Sequence, residues 1–259
     1  MIASDFHIPF HSNKALDLLL YFLKENQPDY FVIGGDYLDA WEVSKFDKVP
    51  RTGKDFRDEL EEGADILKLI RKIIPNTKIV YVAGNHEFRL RKYIITNARA
   101  LYGLKGLTIQ EQLGLNELNI EYIDNSDGLS RFGHNFWKIG ELYIGHFDKV
   151  SKHAAYTAKN LMDDIGVSFI QGHTHRVGLT TKSFIDGRDL IGIEGGCMCE
   201  LKPNYVVSPN WSHGISVFYK KKGKERFQVY PIKIADYKFF FGDKEFNLED
   251  ARKSLYSQG

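Results

Sequence analysis

Five short polar segments of the sequence carry aspartate, histidine and asparagine side chains that could bind metal ions. They are the stretches Asp5-Phe6-His7, Gly35-Asp36, Gly84-Asn85-His86-Glu87, Gly145-His146 and Gly172-His173-Thr174-His175. Carboxylate and amide oxygens combined with imidazole nitrogens suit Mn²⁺, Fe²⁺ or Zn²⁺, whereas Ca²⁺ prefers a site made only of oxygens. The residue types therefore predict a site for Mn²⁺, Fe²⁺ or Zn²⁺, provided that the five segments come together.

Each of these segments follows a short apolar run with the character of a β-strand. The runs cover residues 2–4, 30–33, 78–82, 142–144 and 169–170. Loops at the carboxyl ends of strands converge in open α/β sheets, which also hold them rigidly. Asp5 and His7 are two residues apart in an extended segment, so both can point towards one ion. A glycine precedes the polar residues of the other four segments and permits a close approach of a bulky group.

The pattern of predicted helices and strands changes near residue 120. Before it, helical periodicity over residues 15–25 and 55–74 alternates with the apolar runs, which is the pattern of βα units. After it, residues 120–123, 189–193, 215–220 and 227–234 have the character of strands. Residues 154–164 are predicted to form a helix, with Ser151 as its cap. A chain of 259 residues fits one large domain, so the patterns indicate a layered α/β fold.

Composition excludes several classes of protein. Lys and Arg (35) balance Asp and Glu (34), so there is no overall basic field of the kind that binds nucleic acid without specificity. No apolar run reaches the roughly 18–20 residues of a membrane span, and the N-terminus lacks the pattern of a signal peptide. Cys197 and Cys199 have a spacing unsuited to an ordinary disulfide. The sequence predicts a soluble protein of the cytoplasm, or of the host cytoplasm if the chain is viral.

In order and in residue type, the five segments resemble the motifs of the calcineurin-like metallophosphoesterase superfamily. The resemblance spans residues 5–175, and four specified residues such as Gly84-Asn85-His86-Glu87 occur by chance about once in 10⁵ positions. In the overall pattern of its sequence the chain is similar to stand-alone phosphoesterases of prokaryotes and phages. The resemblance implies a four-layer α/β/β/α sandwich with two facing mixed sheets. We expect this domain to cover residues 1–235 and a C-terminal extension, residues 236–259, to pack on it.

The resemblance also implies a dinuclear metal centre that hydrolyses phosphate esters. Its ligands would be Asp5, His7 and His175 for the first ion, Asn85, His146 and His173 for the second, and Asp36 as the bridge between the two. Manganese is the expected metal, with iron, zinc or nickel as alternatives. A hydroxide bridging the two ions would attack the phosphorus atom. His86 would touch the phosphoryl group and protonate the leaving oxygen, and Asp39 would orient His86.

Basic and aromatic residues around the motifs suggest the class of substrate. Segment 39–57 contains Trp41 and Phe46 among several lysine and arginine residues, and it is expected to overhang the metal ions. The candidate substrate contacts outside this segment are Arg89, Lys152, His153 and Arg176. Stacking combined with contacts to phosphate favours a nucleotide or a single-stranded nucleic acid. The expected activity is therefore that of a phosphodiesterase or nuclease.

Two other functions stay open at this point. A phosphomonoesterase acting on small molecules or phosphoproteins would use the same centre. A non-catalytic scaffold of the same fold would bind partners through it, but such a protein is expected to lose ligands or His86, and this sequence keeps them all.

Several further residues are given structural roles. Glu87 is expected to pair with Arg89 or Arg91 on a following helix, with binding of substrate or of a group behind the ligands as the alternatives. His11 is expected to be solvated and His213 to be packed. The two cysteines are expected to be small buried residues. The tail from residue 236, with three consecutive phenylalanines, would pack as a helix or mediate self-association.

Overall fold

The computed structural model describes residues 1–46, 55–125, 135–202 and 209–256. Residues 47–54 of the basic segment therefore lie outside the described residues. In chain order the elements are β1 (Ile2–Ala3), α1 (Asn13–Asn26), β2 (Tyr30–Ile33), α2 (Phe56–Ile73), β3 (Lys78–Val82), α3 (Glu87–Asn97), a 3₁₀ helix (Arg99–Leu101), α4 (Ile109–Gln112), β4 (Ile120–Ile123), β5 (Phe136–Ile139), β6 (Leu142–Gly145), α5 (Tyr156–Ile165), β7 (Ser168–Gln171), β8 (Val177–Ser183), β9 (Asp189–Gly195), β10 (His213–Lys220), β11 (Phe227–Ile234), β12 (Lys238–Phe241), β13 (Lys244–Asn247) and α6 (Leu248–Tyr256).

The first sheet has the strand order β11-β10-β1-β2-β3-β4 in the described part of the chain. Strands β1 to β4 are parallel, with Ile2 opposite Val32 and Val32 opposite Val80. Strand β10 pairs antiparallel with both β1 and β11. The parallel strands are covered on both faces, which explains why β2 and β3 are continuous apolar runs rather than alternating ones.

The second sheet has the order β5-β6-β7-β9-β8 among the described residues. Strands β6, β7 and β9 are parallel, and β5 and β8 flank them in antiparallel orientation. Both sheets are thus mixed, and both carry a parallel core of strands whose carboxyl ends lead into the polar segments.

The two sheets face one another across a shared apolar layer. Val32 and Val80 of the first sheet lie in one cluster with Ile144, Ile170 and Ile193 of the second, all of them buried. Helices α1, α2 and α6 cover the outer face of the first sheet, and α5 packs on the second sheet around a separate small cluster. These layers confirm the predicted α/β/β/α sandwich.

Helix α2 begins where the sequence predicts it, because Asp55 caps it. The Asp55 side chain accepts from the backbone N–H of Asp58, and the Asp58 side chain accepts from that of Asp55. This reciprocal pair satisfies two N–H groups that the first helical turn leaves without partners. The predicted start of α5 is wrong, since its N-cap is Ala155 and Ser151 lies outside the helix.

The tail of the described chain forms a hairpin followed by a helix. Strands β12 and β13 pair antiparallel, and α6 packs against α1. Phe246 and Phe239 lie against Phe22 of α1, with ring centroids 4.8 Å and 5.1 Å from it. From the sequence, a helix or self-association was expected for this tail; the structure has a helix there and, before it, a hairpin that was not predicted. Among the helices that the structure describes, none has the length and apolar character needed to cross a bilayer.

Candidate metal centre

The predicted ligands lie where β1, β2, β3, β6 and β7 end. Backbone pairing continues past the ends of β1 and β2, because the His7 N–H donates to the Asp36 carbonyl at 3.0 Å and Ile8 bridges to Leu38. The segments after β1 and β2 are therefore fixed against each other by the extended sheet. The segments after β6 and β7 reach the same point from the facing sheet. Nδ1 of His146 lies 3.1 Å from the carbonyl of Gly34, and the N–H of His173 donates to the Asp5 carboxylate at 2.9 Å.

Several of these ligands have strained backbones. The φ angle lies in the left-handed region at Asp5 (55°), His7 (51°), Asp36 (48°), His173 (72°) and His175 (56°). A residue with a side chain pays on the order of 1 kcal/mol or more for such a conformation, which persists only where the surrounding structure holds it. The concentration of strained residues at one edge of the sandwich is typical of a functional site.

Two glycines are needed for the close approach of ligand side chains. A Cβ atom on Gly35 would lie 2.6 Å from Nδ1 of His146, and one on Gly172 would lie 2.7 Å from Oδ2 of Asp5. Neither distance is tolerable for a real Cβ atom. The expectation that glycine lets bulky groups come close at these positions is confirmed.

Asp5, His7 and His175 form a first cluster. Nε2 of His175 lies 3.2 Å from Oδ1 of Asp5 and 3.1 Å from Nε2 of His7. All three residues are buried, and one ligand atom from each lies within 4.8 Å of the others. Nitrogen and oxygen donors converging at this spacing can surround a single ion.

Asp36, Asn85, His146 and His173 form a second cluster around Nε2 of His146. That nitrogen lies 3.0 Å from Oδ2 of Asp36, 3.1 Å from Nδ1 of His173 and 3.2 Å from Oδ1 of Asn85. Nδ1 of His146 donates to the carbonyl of Gly34 at 3.1 Å. This bond fixes the ring so that Nε2 faces the cluster, as in most histidines that bind metals.

The two clusters are in contact through Asp36 and Asp5. Oδ2 of Asp36 lies 3.9 Å from Nε2 of His7, and Oδ1 of Asp5 lies 4.0 Å from Nε2 of His146. The donors are buried carboxylates, imidazoles and an amide, which is the set that suits Mn²⁺, Fe²⁺ or Zn²⁺. The residues present therefore fit a pair of divalent ions, one in each cluster.

Imidazolium and carboxylate groups balance the charge of this buried site. Burial disfavours the charged form of His146, but Asp36 and Asp5 outweigh it and raise the pKa of His146 to about 10. Burial also opposes charge on His175, and there Cys199 and Asp5 outweigh it and raise the pKa to about 10. The pKa of His173 falls to about 4 because burial and the nearby His146 both disfavour a positive charge. Divalent ions bound here would replace these protons.

His86 lies at the edge of the second cluster and is half-buried. Its Nε2 is 3.6 Å from Oδ2 of Asp36, and its Nδ1 donates to the carbonyl of Asp39 at 2.8 Å. Arg89 donates to Nε2 of His86 at 2.8 Å and to the same Asp39 carbonyl at 2.7 Å. The Asp39 carboxylate also contacts Nδ1 of His7 at 3.1 Å. Asp39 thus contacts His86, the residue it was expected to orient, and also the predicted ligand His7, a contact that the sequence did not indicate.

Glu87 contacts the backbone of the ligand loops and not an arginine. Its buried carboxylate accepts from the backbone N–H groups of Asp36, Tyr37 and Leu38 at 3.1, 2.8 and 3.2 Å. It also accepts from the N–H of Gly84 at 2.7 Å. The predicted pairing with Arg89 or Arg91 is wrong, because helix α3 begins at Glu87 and turns this side chain inwards.

The predicted substrate contacts are placed differently from one another. Arg89 lies beside His86, as described, and Lys152 and His153 are exposed on the segment between β6 and α5. Arg176 is buried, and its Nη1 donates to the carbonyl of Ser151 at 2.7 Å. This placement favours support of that segment by Arg176 over direct contact with a substrate.

Four residues outside the predicted ligand set are also placed by the structure. His11 is buried and forms an isolated bridge with Cys199, so the expectation that it is solvated is wrong. His213 is packed as expected, with Nε2 2.9 Å from the carbonyl of Cys199. Both cysteines are buried as expected, but Cys199 also lies beside the ligand His175, at 3.8 Å from its Nδ1.

The chain belongs to the calcineurin-like phosphoesterase family, whose model matches residues 1–177, the part that carries all seven predicted ligands. This is a family of hydrolases that act on phosphoester bonds. Among curated proteins the chain is similar to Gene 54 protein of Mycobacterium phage L5, with 26% identity over 235 residues that cover 84% of this chain and 87% of that protein. Gene 54 protein of Mycobacterium phage D29 is also 26% identical, over 238 residues and the same shares of each chain. Among solved structures, Vps29 of Chaetomium thermophilum has 12% identity and a TM-score of 0.41, covering 91% of this chain and 85% of that one.

Proposed function

We propose that the protein is a metal-dependent phosphodiesterase or nuclease that acts on nucleotides or nucleic acid. The observation that carries metal dependence is the contact between the first and second clusters through Asp36. In this proposal the first cluster holds one ion and the second cluster the other, with the Asp36 carboxylate shared between them. Mn²⁺ is the proposed metal, since hard carboxylate and amide oxygens stand beside the imidazoles.

The bound ions would supply Lewis acidity and a nucleophilic water at neutral pH. The chain itself supplies His86, whose Nε2 faces Asp36 and can hold a proton for the leaving oxygen. The bond from Nδ1 of His86 to the Asp39 carbonyl keeps the ring in this orientation. In this structure the Arg89 guanidinium donates a hydrogen bond to Nε2 of His86. A bound phosphate would be a stronger acceptor for the guanidinium. In this proposal Arg89 binds the phosphate and releases His86 as it does so.

Aromatic and basic residues beside Arg89 favour a substrate with bases. Phe46 is 51% exposed and stacks nearly parallel to Trp41, with ring centroids 6.1 Å apart. The Arg89 guanidinium and the Lys45 ammonium lie 6.0 Å and 5.9 Å from the Phe46 ring centre. An exposed aromatic ring next to cations can bind a base by stacking and the adjoining phosphate by charge. This arrangement supports a phosphodiester of nucleosides over a small phosphate monoester.

The proposed place of action is the cytoplasm, or the cytoplasm of a host cell if the chain is viral. The two curated relatives reported above are phage proteins, which is compatible with the second alternative.

Activity after removal of metal tests the proposal. Protein stripped with a chelator should hydrolyse bis(p-nitrophenyl) phosphate only when Mn²⁺ or a similar ion is restored. Asp36→Asn should lower this activity by at least about 10³-fold, because the shared carboxylate is lost. Asp65→Asn is the matched control, since Asp65 is an exposed residue that pairs only with Lys68 in the described structure. Equal turnover without metal would contradict the proposal.

A panel of substrates under Mn²⁺ separates the candidate activities. It should contain aryl phosphate monoesters and diesters, cyclic nucleotides, RNA, and single-stranded and duplex DNA. Cleavage of diesters is the expected result. Hydrolysis of monoesters alone would instead assign a phosphomonoesterase, and a metal-loaded protein inert on every substrate would assign a scaffold.

A further inference from the structure

Two thiols lie behind His175, on the side of its ring that faces away from the first cluster. Sγ of Cys199 is 3.8 Å from Nδ1 of His175, while Nε2 of the same ring faces Asp5. Sγ of Cys197, Sγ of Cys199 and a ring nitrogen of His175 all lie within 4.8 Å of one another, and all three residues are buried. We call these three residues the thiol cluster.

The backbone explains why both sulfur atoms point to one place. Cys197 and Cys199 flank Met198, whose side chain enters the apolar core of the first sheet while the two sulfur atoms converge beside His175. The N–H of Met198 lies 3.1 Å from the carbonyl of Asp5, which anchors the segment to the first cluster. Isolated bridges from Cys197 to His213 and from Cys199 to His11 hold it on both sides. The geometry of the thiol cluster is therefore set by the fold.

The spacing agrees with that of donors around one tetrahedral ion. Zinc binds thiolate sulfur at about 2.3 Å and imidazole nitrogen at about 2.0–2.1 Å, so two such donors in a tetrahedron lie roughly 3.6 Å apart. The observed distance from Sγ of Cys199 to Nδ1 of His175 is 3.8 Å. Two thiolates also neutralise a divalent ion, which removes the main cost of burying it. The carbonyl of Ser212, 3.6 Å from Sγ of Cys197, offers a further donor.

We propose that the thiol cluster binds a soft divalent cation, of which Zn²⁺ and Cd²⁺ are examples. Sulfur donors select such ions, whereas Mn²⁺ prefers sites that contain carboxylate and amide oxygens, as the clusters on the other side of His175 do. Binding forms two metal–thiolate bonds and one bond to Nδ1 of His175, and it releases to solvent the two thiol protons and the proton carried by Nδ1.

Sharing of His175 links this site to the dinuclear centre. A neutral imidazole offers one lone pair, so it can bind a metal through Nδ1 or through Nε2 but not through both unless it loses its last proton. A soft ion in the thiol cluster therefore weakens the hold of the first cluster on its own ion. The site is a point at which soft metals interfere with the metal content of the centre.

Absorption spectroscopy of the reduced full-length protein tests the proposal with Cd²⁺ as the probe. The chain contains only two cysteines, so any thiolate-to-cadmium charge-transfer band must arise from Cys197 and Cys199. Protein loaded with Mn²⁺ should show this ultraviolet band at one equivalent of Cd²⁺. Cys197→Ser and Cys199→Ser should each weaken the apparent Cd²⁺ affinity by about tenfold or more. The readout is independent of hydrolysis, so its failure does not touch the proposed function.

Two results would overturn the inference. One is the absence of a thiolate band at stoichiometric Cd²⁺, and the other is a band of unchanged affinity in both serine variants. If a variant does not fold, as judged by circular dichroism, cadmium X-ray absorption of the unaltered protein replaces it. Two sulfur neighbours around the cadmium are expected there, and a shell of oxygen and nitrogen alone would refute the site.

Discussion

Oε2 of Glu87 accepts a hydrogen bond from the backbone nitrogen of Asp36 at 3.1 Å. The same carboxylate accepts from the N–H of Gly84, which precedes the predicted ligand Asn85. Glu87 therefore joins the turn after β2 to the loop after β3, and each of these carries part of the second cluster. A single carboxylate behind the ligands sets the distance between two metal-binding segments.

Replacement of Glu87 should loosen the second cluster. In Glu87→Gln one acceptor oxygen becomes an NH₂ group that faces backbone N–H donors, so several buried N–H groups lose their partner. We expect a loss of about 3 kcal/mol in the free energy of unfolding and a ten- to hundredfold weaker metal affinity. Chemical denaturation and calorimetric titration with Mn²⁺ measure the two effects. Glu121→Gln, which breaks only an exposed pair with Lys78, should change neither by much.

Substitution of His86 should separate catalysis from metal binding. If His86 donates the proton to the leaving oxygen, His86→Gln keeps both ions and lowers kcat by about 10²- to 10⁴-fold. Asn85→Ala is the comparison, since Asn85 is a proposed ligand and its loss should cost the protein an ion. Elemental analysis of the gel-filtered proteins gives the metal content. His86 also lies near His7 and Asp36 in a spacing that could hold an ion, so an ion missing from His86→Gln would reassign His86 as a ligand.

Glu59 should make the stability of the metal-free protein depend on pH. It is buried beside Asp39 and accepts from the N–H of Ala40 at 2.6 Å, and burial raises its pKa from 4.5 to about 8. Between these values the folded protein keeps a proton that the unfolded chain has released. The free energy of unfolding therefore falls as pH rises from about 4.5 to 8 and this contribution is constant above 8.

The variant Glu59→Gln should remove that dependence, because its amide oxygen still accepts from Ala40 and carries no charge. Above pH 8 it should be more stable than the unaltered protein by roughly 5 kcal/mol, with the difference vanishing near pH 4.5. Urea unfolding in the presence of a chelator at several pH values measures this. The exposed Glu141→Gln is the control, and a Glu59→Gln difference that is the same at every pH would contradict the assignment.

Phe246 should stabilise the attachment of the C-terminal hairpin without affecting the metal centre. Its ring is 2% exposed and packs on Phe22, so Phe246→Ala should cost about 3–4 kcal/mol in the free energy of unfolding. Phe240 of the same hairpin is 68% exposed, and Phe240→Ala should cost less than about 0.5 kcal/mol. Both variants should bind Mn²⁺ normally. Equal losses of stability, or a loss of metal from Phe246→Ala, would argue against this packing.

The positions of the predicted ligands could be inferred from the sequence because each depends on local order. An apolar run, a glycine and then a polar residue place Asp36 or His146 at a strand end whatever the strand's neighbours are. The order of the strands within the sheets could not be inferred from the sequence in this way. Strand β10 lies beside β1 although more than 200 residues separate them, and β9 lies between β7 and β8. Such pairing depends on contacts that no short pattern records.

The role of Glu87 shows a second limit of sequence patterns. Its spacing from Arg91 suits a pair on one face of a helix, and that local pattern led to the wrong partner. The actual partners include Asp36 and Tyr37, about 50 positions earlier in the chain. Burial decides the outcome, because backbone N–H groups turned away from solvent require acceptors. The hairpin after residue 236 was likewise not anticipated, since its apolar side is defined by Phe22 of a distant helix.

The two facing sheets each contribute about half of the ligands, since Asp5, Asp36 and Asn85 follow strands of the first sheet and His146 and His173 follow strands of the second. Away from this edge, the sheets share a cluster of buried apolar side chains, whose contacts have no directional bonds. A pair of ions bound between the sheets would cross-link them reversibly at one end of the sandwich. Loss of the ions should then let the two sheets separate at that end. The packing of the sheets and the chemistry of the site would thus depend on the same bonds between ions and ligands.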